Sequence, residues 1–218
     1  MGEMVSMKIL IPARGGSKRI PRKNLADVNG KPLLQYVIDT CRNITDEIYV
    51  STEDKEIREF VESLNVNVIE RPERLATDES KTEDVVEHFL EEIEVDDLFC
   101  VVQPTSPLLC FTSILDGIEL IDGGRFEFDS VISVCKDTKY YWNINGKPIN
   151  FELGNRKRTQ EQEVWFRENG AFYITTKDNF LENKILQNGL VGFVEMTEME
   201  SMDIDTKEDL EMVRKLCN

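Results

Sequence analysis

The sequence predicts an α/β fold with a doubly wound, mostly parallel sheet. Three observations predict it. Short apolar runs alternate with segments whose apolar residues recur at helical spacing. The links between them are short. One run, Leu98-Phe99-Cys100-Val101-Val102, is apolar throughout, as a strand covered on both faces has to be. With 218 residues the chain reads as a single domain, 1–218, carrying one inserted element at 136–170.

The elements follow in order. Residues 1–6 lack the basic flank and long apolar stretch of a signal peptide, so they read as a disordered extension ahead of a candidate start at Met7. Residues 8–11 form a first buried strand. Asn29-Gly30-Lys31-Pro32 is a turn, and Pro32 suits the first turn of a helix whose inner face is Leu33, Leu34, Val37, Ile38 and Cys41. Residues 47–51 are the second strand, and Ile57, Phe60, Val61 and Leu64 give the next helix its apolar face. Residues 66–69 are the third strand. Thr82 is the expected N-cap of a helix with Val85, Val86, Phe89, Leu90 and Ile93 inward. Residues 98–102, a helix around 114–121 and residues 130–135 continue the alternation.

From Lys136 the rhythm breaks. Tyr140, Tyr141 and Trp142 stand beside the turn Asn145-Gly146-Lys147-Pro148, and the basic run Arg156-Lys157-Arg158 follows. This reads as an inserted hairpin whose aromatic residues cover either the parent sheet or a partner. The core resumes at 171–175, residues 191–194 are a further strand, and Thr206 with Asp209 forms a capping box that opens a closing helix.

The formal charge of -16 argues against a nucleic-acid partner, and the absence of long apolar runs argues against a membrane-spanning segment. The five cysteines, Cys41, Cys100, Cys110, Cys135 and Cys217, have no CxxC spacing and no pairing with the lone His88; they read as reduced core residues of a cytoplasmic protein.

Against this acidity, residues 14–24 contain five basic side chains and no acidic one. Gly15 and Gly16 allow a sharp turn that presents backbone N–H groups, and Arg14, Lys18 and Lys23 can surround a polyphosphate. A solvated basic turn is the other reading. The pattern is neither a P-loop nor GxGxxG. In a doubly wound sheet ligands bind at the carboxyl ends of the strands, which gathers this loop, Ser51, Thr52, Arg71 and residues 103–107 at one edge. Asp203 and Asp205 flank Ile204 and, in extended chain, point the same way, which suits Mg²⁺ beside phosphates; an exposed lead-in to the helix is the alternative.

Four motifs resemble a known family: residues 13–24 (ARGGSKRIPRKN), 103–108 (QPTSPL), 168–174 (ENGAFYI) and 203–206 (DIDT). Their order is similar to that of the acylneuraminate cytidylyltransferases, the CMP-N-acetylneuraminic acid synthetase family. The loop differs from that of the sister enzymes that activate Kdo. The resemblance implies a Rossmann-like nucleotidyltransferase fold and transfer of CMP from CTP to the anomeric hydroxyl of a nonulosonic, sialic-type acid. It implies catalytic roles for Arg14, Lys23, Asp203 and Asp205. Arg14, Gly15, Ser17, Lys18, Lys23 and Asn24 would hold the triphosphate and ribose, and Arg71 and Thr82 the cytosine. Gln103, Arg158, Gln160 and Asn169 would meet the sugar. Asp203 and Asp205 would bind Mg²⁺, with Mn²⁺ as the substitute. A homodimer would form through the insertion, which reaches toward the partner's active site. No His or Cys is placed as a nucleophile and His88 reads as structural, so direct in-line displacement is expected. Three positions depart from the family pattern: Leu109 in place of Arg, Glu53 in place of Asp, and Asn143 near a Lys. They leave the sugar open among N-acetylneuraminate, legionaminic, pseudaminic and Kdo types, and a catalytically inactive nucleotide-binding module is the non-enzyme alternative.

Overall fold

The computed structural model describes residues 7–122 and 128–217; the expected N-terminal extension, residues 1–6, lies outside them. In chain order the elements are β1 (Lys8–Pro12), a small ribbon of β2 (Asp27–Val28) and β3 (Lys31–Pro32), α1 (Leu33–Cys41), β4 (Ile48–Thr52), α2 (Lys55–Ser63), β5 (Asn67–Glu70), α3 (Thr82–Glu92), β6 (Leu98–Val102), α4 (Phe111–Asp122), β7 (Ser130–Asp137), β8 (Trp165–Thr176), α5 (Lys177–Asn183), β9 (Val191–Met196) and α6 (Lys207–Leu216). Seven strands form one sheet in the order β5-β4-β1-β6-β8-β7-β9. All neighbouring pairs are parallel except those of β8, which runs antiparallel to both β6 and β7. The mostly parallel doubly wound sheet is therefore present, with β8 as its one reversal.

Alternation along each strand divides the core. Ile9, Ile11, Val50, Cys100 and Val102 face α1, α2 and α4, joined by Val37, Ile57 and Ile114. Leu10, Phe99 and Val101 face the opposite side, where α3 supplies Val86 and Phe89 and α5 supplies Phe180. α4 approaches the sheet closely at Gly117, where an added Cβ would stand 2.8 Å from Ile174 Cδ1. A third cluster joins Ile20 of the basic loop to Val28, Leu33, Ile204, Leu210 and Val213. This cluster holds the segment before α6 against the loop after β1.

The caps explain the helix starts. Asp54 accepts from the Glu56 and Ile57 N–H groups ahead of α2. Thr206 and Asp209 form the expected box at α6, with Asp209 N donating to Thr206 Oγ1 at 3.2 Å and Thr206 N donating to Asp209 Oδ2 at 2.7 Å. At α3 the expectation is off by one residue: Lys81 is the cap and Thr82 the first helical residue, because Lys81 N donates to Asp84 Oδ2 at 3.0 Å.

β7 and β8 form a long hairpin, and residues 138–164 make a lobe at its tip. The lobe carries only isolated bridges, Trp142–Pro148 and Glu152–Asn155, and is packed by ring contacts of Phe151 with Tyr140 and Trp142. Residues 165–170, at the C-terminal end of the expected insertion, belong to β8 and pair in part with β7. The lobe is rooted on Asp137, which is buried, accepts from Lys139 N at 2.8 Å and accepts the Tyr141 hydroxyl. Burial raises the Asp137 pKa, but the bonds from Tyr141 and Lys139 and the charges of Lys139 and Arg167 outweigh it and hold the carboxyl below its ordinary range.

Candidate functional site

A cleft of about 430 Å³ opens where β1, β4, β5 and β6 end. Arg14, Ser17, Lys18, Lys23, Asn24, Arg71, Thr82 and Gln103 all line it, so eight of the predicted nucleotide and sugar positions meet at one place. The loop after β1 is fastened from within. Asn24 is buried, and its Nδ2 donates to Arg14 O at 2.9 Å while its Oδ1 is left without a partner. Arg71 follows β5 and is also buried. Its Nε donates to Ser51 Oγ at 3.1 Å and its Nη2 to Ser51 O at 2.7 Å, which fixes the guanidinium plane. Burial lowers its pKa to about 10, opposed by Glu53 and reinforced by Arg14, so it remains a cation at neutral pH.

The loop cations already have anionic partners. Arg14 Nη2 lies 3.1 Å from Asp78, its Nη1 donates to Thr77 O at 2.7 Å, and Lys18 pairs with the same Asp78. Lys23 Nζ donates to Ile204 O at 2.8 Å and stands 3.6 Å from Asp205 Oδ1. Arg19 reaches Asp205 at 3.0 Å.

Gly15 is a correction. Its N–H donates to Glu53 Oε1 at 2.7 Å instead of facing the cleft, and a Cβ there would lie 2.4 Å from Asp54 Oδ2. The lining glycine is Gly16. Glycine at 15 answers the close approach of Asp54.

Asp203 and Asp205 stand at the rim and do not line the cleft themselves. Ile204 between them is buried, and its N–H donates to Thr105 O at 2.9 Å, which ties the pair to a residue that does line it. Burial raises the Asp203 pKa; a bond from Thr105 opposes this, the Asp205 charge adds to it, and Lys23 relieves it. The Lys23 ammonium meets the Ile204 carbonyl and the Asp205 carboxylate, with Asp203 two residues from Asp205, and among the described residues no cluster of three or more His, Cys, Asp or Glu forms a protein-only metal cage. The two carboxylates fit Mg²⁺, which takes a few carboxylates and completes its shell with water and phosphate.

Three predicted sugar positions are not in the cleft. Arg158 and Gln160 are exposed on the lobe. Asn169 is a second correction: its amide is consumed internally, with Oδ1 accepting from Ser133 Oγ at 2.6 Å and Ala171 N at 3.2 Å, and Nδ2 donating to Ser201 Oγ at 2.8 Å. It braces a bulge in β8 where Gly170 takes φ 71°. His88 is buried on α3 with its Nδ1 unpartnered, and it does not line the cleft. Leu109 is buried in the core, and the Asn143 side chain accepts from Asn145 N and Lys147 N at 3.0 Å, closing the lobe's turn. Sequence reasoning passed over Asp78 and Lys81 and gave Arg19 and Thr105 no role of their own within the loop and the 103–107 stretch; all four line the cleft. Thr105 carried a signal, since it lies within the QPTSPL motif; Asp78 reads as an ordinary surface acid.

Known proteins share the sequence pattern and the fold. The cytidylyltransferase family profile matches residues 8–218. N-acylneuraminate cytidylyltransferase A of Danio rerio is 32% identical over 209 residues, covering 92% of this chain and 48% of that protein. Pseudaminic acid cytidylyltransferase of Campylobacter jejuni is 30% identical over 218 residues, covering 95% of this chain and 94% of that one. The chain spans about half the length of the first curated relatives it matches. The fold is shared with a solved structure of CMP:2-keto-3-deoxy-manno-octonic acid synthetase complexed with CTP, at a TM-score of 0.74 and 19% identity over 97% of this chain and 98% of the other. It is also shared with 4-diphosphocytidyl-2C-methyl-D-erythritol synthase of Anaerococcus prevotii, at a TM-score of 0.65 and 13% identity, again over 97% of this chain and 98% of that chain. With the profile running through the loop after β1, the Thr105 edge and the Asp203–Asp205 rim alike, this chain belongs to the cytidylyltransferase family.

Proposed function

We propose that the chain transfers CMP from CTP to the anomeric hydroxyl of a nonulosonic acid and releases pyrophosphate. The observation that carries this reading is the convergence of Arg14, Lys18, Lys23 and Arg71 on one cleft with Asp203 and Asp205 at its rim. The anomeric oxygen bonds to the α-phosphorus as the bond to the bridging oxygen of the leaving pyrophosphate breaks, and the hydroxyl proton passes to solvent. Arg14 and Lys18 hold the outer phosphates, and Lys23 holds the phosphate nearest the rim. The unpartnered Oδ1 of Asn24 accepts from a ribose hydroxyl. Arg71, its plane locked by Ser51, donates to the acceptor edge of cytosine. Gln103 and Thr105 face the sugar acid at the β6 end of the cleft. Asp203 and Asp205 would hold Mg²⁺, which would neutralise phosphate charge and make the attacking hydroxyl more acidic. Preorganised charge and positioning account for most of the acceleration.

Two further parts of the reading rest on the lobe and the cysteines. The lobe exposes Trp142, Ile144 and Leu153, with Ile144 wholly uncovered, which supports a homodimer in which Arg158 and Gln160 reach a partner's cleft. The cysteines are free, which supports a cytoplasmic setting. No helix among the described residues is long and apolar enough to cross a membrane.

A pseudaminic-type acid is the second reading for the sugar. The relative named for that substrate matches this chain nearly end to end, and Leu109, which stands where the family pattern has Arg, is packed in the core. Pyrophosphate release, measured for four nucleotides against a panel of nonulosonic acids, tests both. CTP should be the one effective nucleotide, and the best acid names the substrate. No release with any pair would leave the binding-module alternative.

A further inference from the structure

We propose that Asp78 acts as a built-in competitor for phosphate, occupying Arg14 and Lys18 until a polyphosphate displaces it and thereby weakening the hold of the cleft on small anions such as the product pyrophosphate. The inference rests on the nucleotide reading of the cleft and adds a residue that tunes selectivity within it.

The geometry assigns this role to one side chain. Asp78 is the one carboxylate among the residues that line the cleft; Arg14, Lys18, Arg19, Lys23, Arg71 and Lys81 are its cationic lining. Its two oxygens are divided between two of those cations: Oδ1 lies 3.1 Å from Arg14 Nη2, and Oδ2 meets Lys18. A terminal phosphate would claim the same two donors by the same chemistry, since Arg pairs with carboxylate and phosphate alike.

The turn that carries Asp78 is built to present it. Thr77 N donates to Ser80 Oγ at 3.2 Å, the Thr77 and Ser80 hydroxyls meet at 2.8 Å, and Ser80 Oγ donates to Arg74 O at 3.1 Å. Arg14 also donates to Thr77 O, one residue away. The bonds and charges of Lys18 and Arg14 keep Asp78 below the ordinary carboxylate range despite some desolvation, so it is ionised at neutral pH.

The contact is also a weak one. The Lys18, Arg14 and Asp78 side chains are 80%, 36% and 46% exposed, so water and salt screen both pairs. A ligand with several phosphates and a metal can displace it, because Lys23, Asn24 and Arg71 add contacts that a small anion lacks. A lone phosphate or a departing pyrophosphate has to meet the same competition with fewer contacts. The carboxylate therefore returns to Arg14 and Lys18 as the product leaves.

Calorimetric titration of inorganic pyrophosphate and of CTP, each with Mg²⁺, into wild type and Asp78→Asn tests this. Removal of the charge should tighten pyrophosphate binding about three- to tenfold, the range expected for freeing cations from exposed ion pairs. Glu87→Gln, which breaks an exposed pair with Lys184 elsewhere, should change neither titration. Asp78→Ser serves as the second variant if the amide disturbs the turn. Unchanged or weaker pyrophosphate binding in both Asp78 variants overturns the competitor role and leaves Asp78 as a brace for the loop. Tighter pyrophosphate without CTP binding in any of the proteins would keep the competitor and remove the nucleotide reading.

Discussion

Asp203 and Asp205 show how two similar side chains come to differ. Asp203 is half-buried beside Thr105, and burial raises its pKa, while Asp205 lies open beside Lys23 and Arg19. If they hold the metal that acts on developing charge, substitution should lower kcat and kcat/KM together. Asp203→Asn and Asp205→Asn keep size and leave the Thr206–Asp209 box intact, so the fold should survive. The expected loss for either is at least about a hundredfold in kcat, on the order of 3 kcal/mol, with a raised Mg²⁺ midpoint. Near wild-type turnover with an unmoved midpoint in both variants would make them a plain lead-in to α6. At this scale the sequence was informative where chemistry is carried by spacing: the basic run, Arg71 and the paired aspartates were all legible. It did not show the contacts of Gly15 and Asn169 within the chain, because glycine beside a ligand and glycine beside Asp54 look alike, and so do an amide that meets a sugar and one that bonds Ser133 and Ser201.

Among the elements, strands β1, β4 and β6 were legible because parallel strands buried on both faces leave short apolar runs. β8 was legible only in its second half. Its first residues, 165–168, are exposed, and the bulge at Gly170 interrupts the alternation that marks a strand. Its direction was not legible either, since a hairpin return and a helical crossover give similar apolar runs. α5 went unread because its seven residues bury only Phe180. The root of the lobe permits a pH test. Asp137 has a folded pKa below its unfolded value of about 3.9. Its contribution is therefore complete above that value and is lost as pH falls through the folded pKa. Asp137→Asn should lower stability by about 1–3 kcal/mol near neutral pH, as expected for hydrogen bonds to a charged group. Thermal melts of the two proteins should converge as pH falls through the folded pKa and the wild-type carboxyl also protonates. A gap that persists unchanged into acid would mean that shape, not charge, roots the lobe.

At the scale of the whole molecule, a chain of formal charge -16 concentrates positive charge in one cleft, and the contrast was readable before any coordinates. The lobe was readable as a break in rhythm, but whether its aromatic residues cover this sheet or another surface was not. In the structure Tyr140, Trp142 and Phe151 pack largely on one another, and Trp142, Ile144 and Leu153 remain open. The proposed homodimer predicts that replacing residues 138–164 with a short Gly-Ser link yields a monomer with severely reduced CMP transfer and an intact core. Sedimentation and activity measured on one preparation check this. A full-length protein that sediments as a monomer at micromolar concentration would defeat it.

The bond from Lys23 to the carbonyl of Ile204 spans 181 positions of sequence, and Ile20 packs in the same cluster as Ile204 and Val213. The cleft and its rim are thus brought together from stretches far apart in sequence. During synthesis the cationic loop is made well before the acidic rim that packs beside it. A ribosome-bound or prematurely terminated chain can carry β1 and its basic loop, yet it lacks the rim that completes the cleft. The basic loop and its rim become one site only once both stretches have been made and packed together.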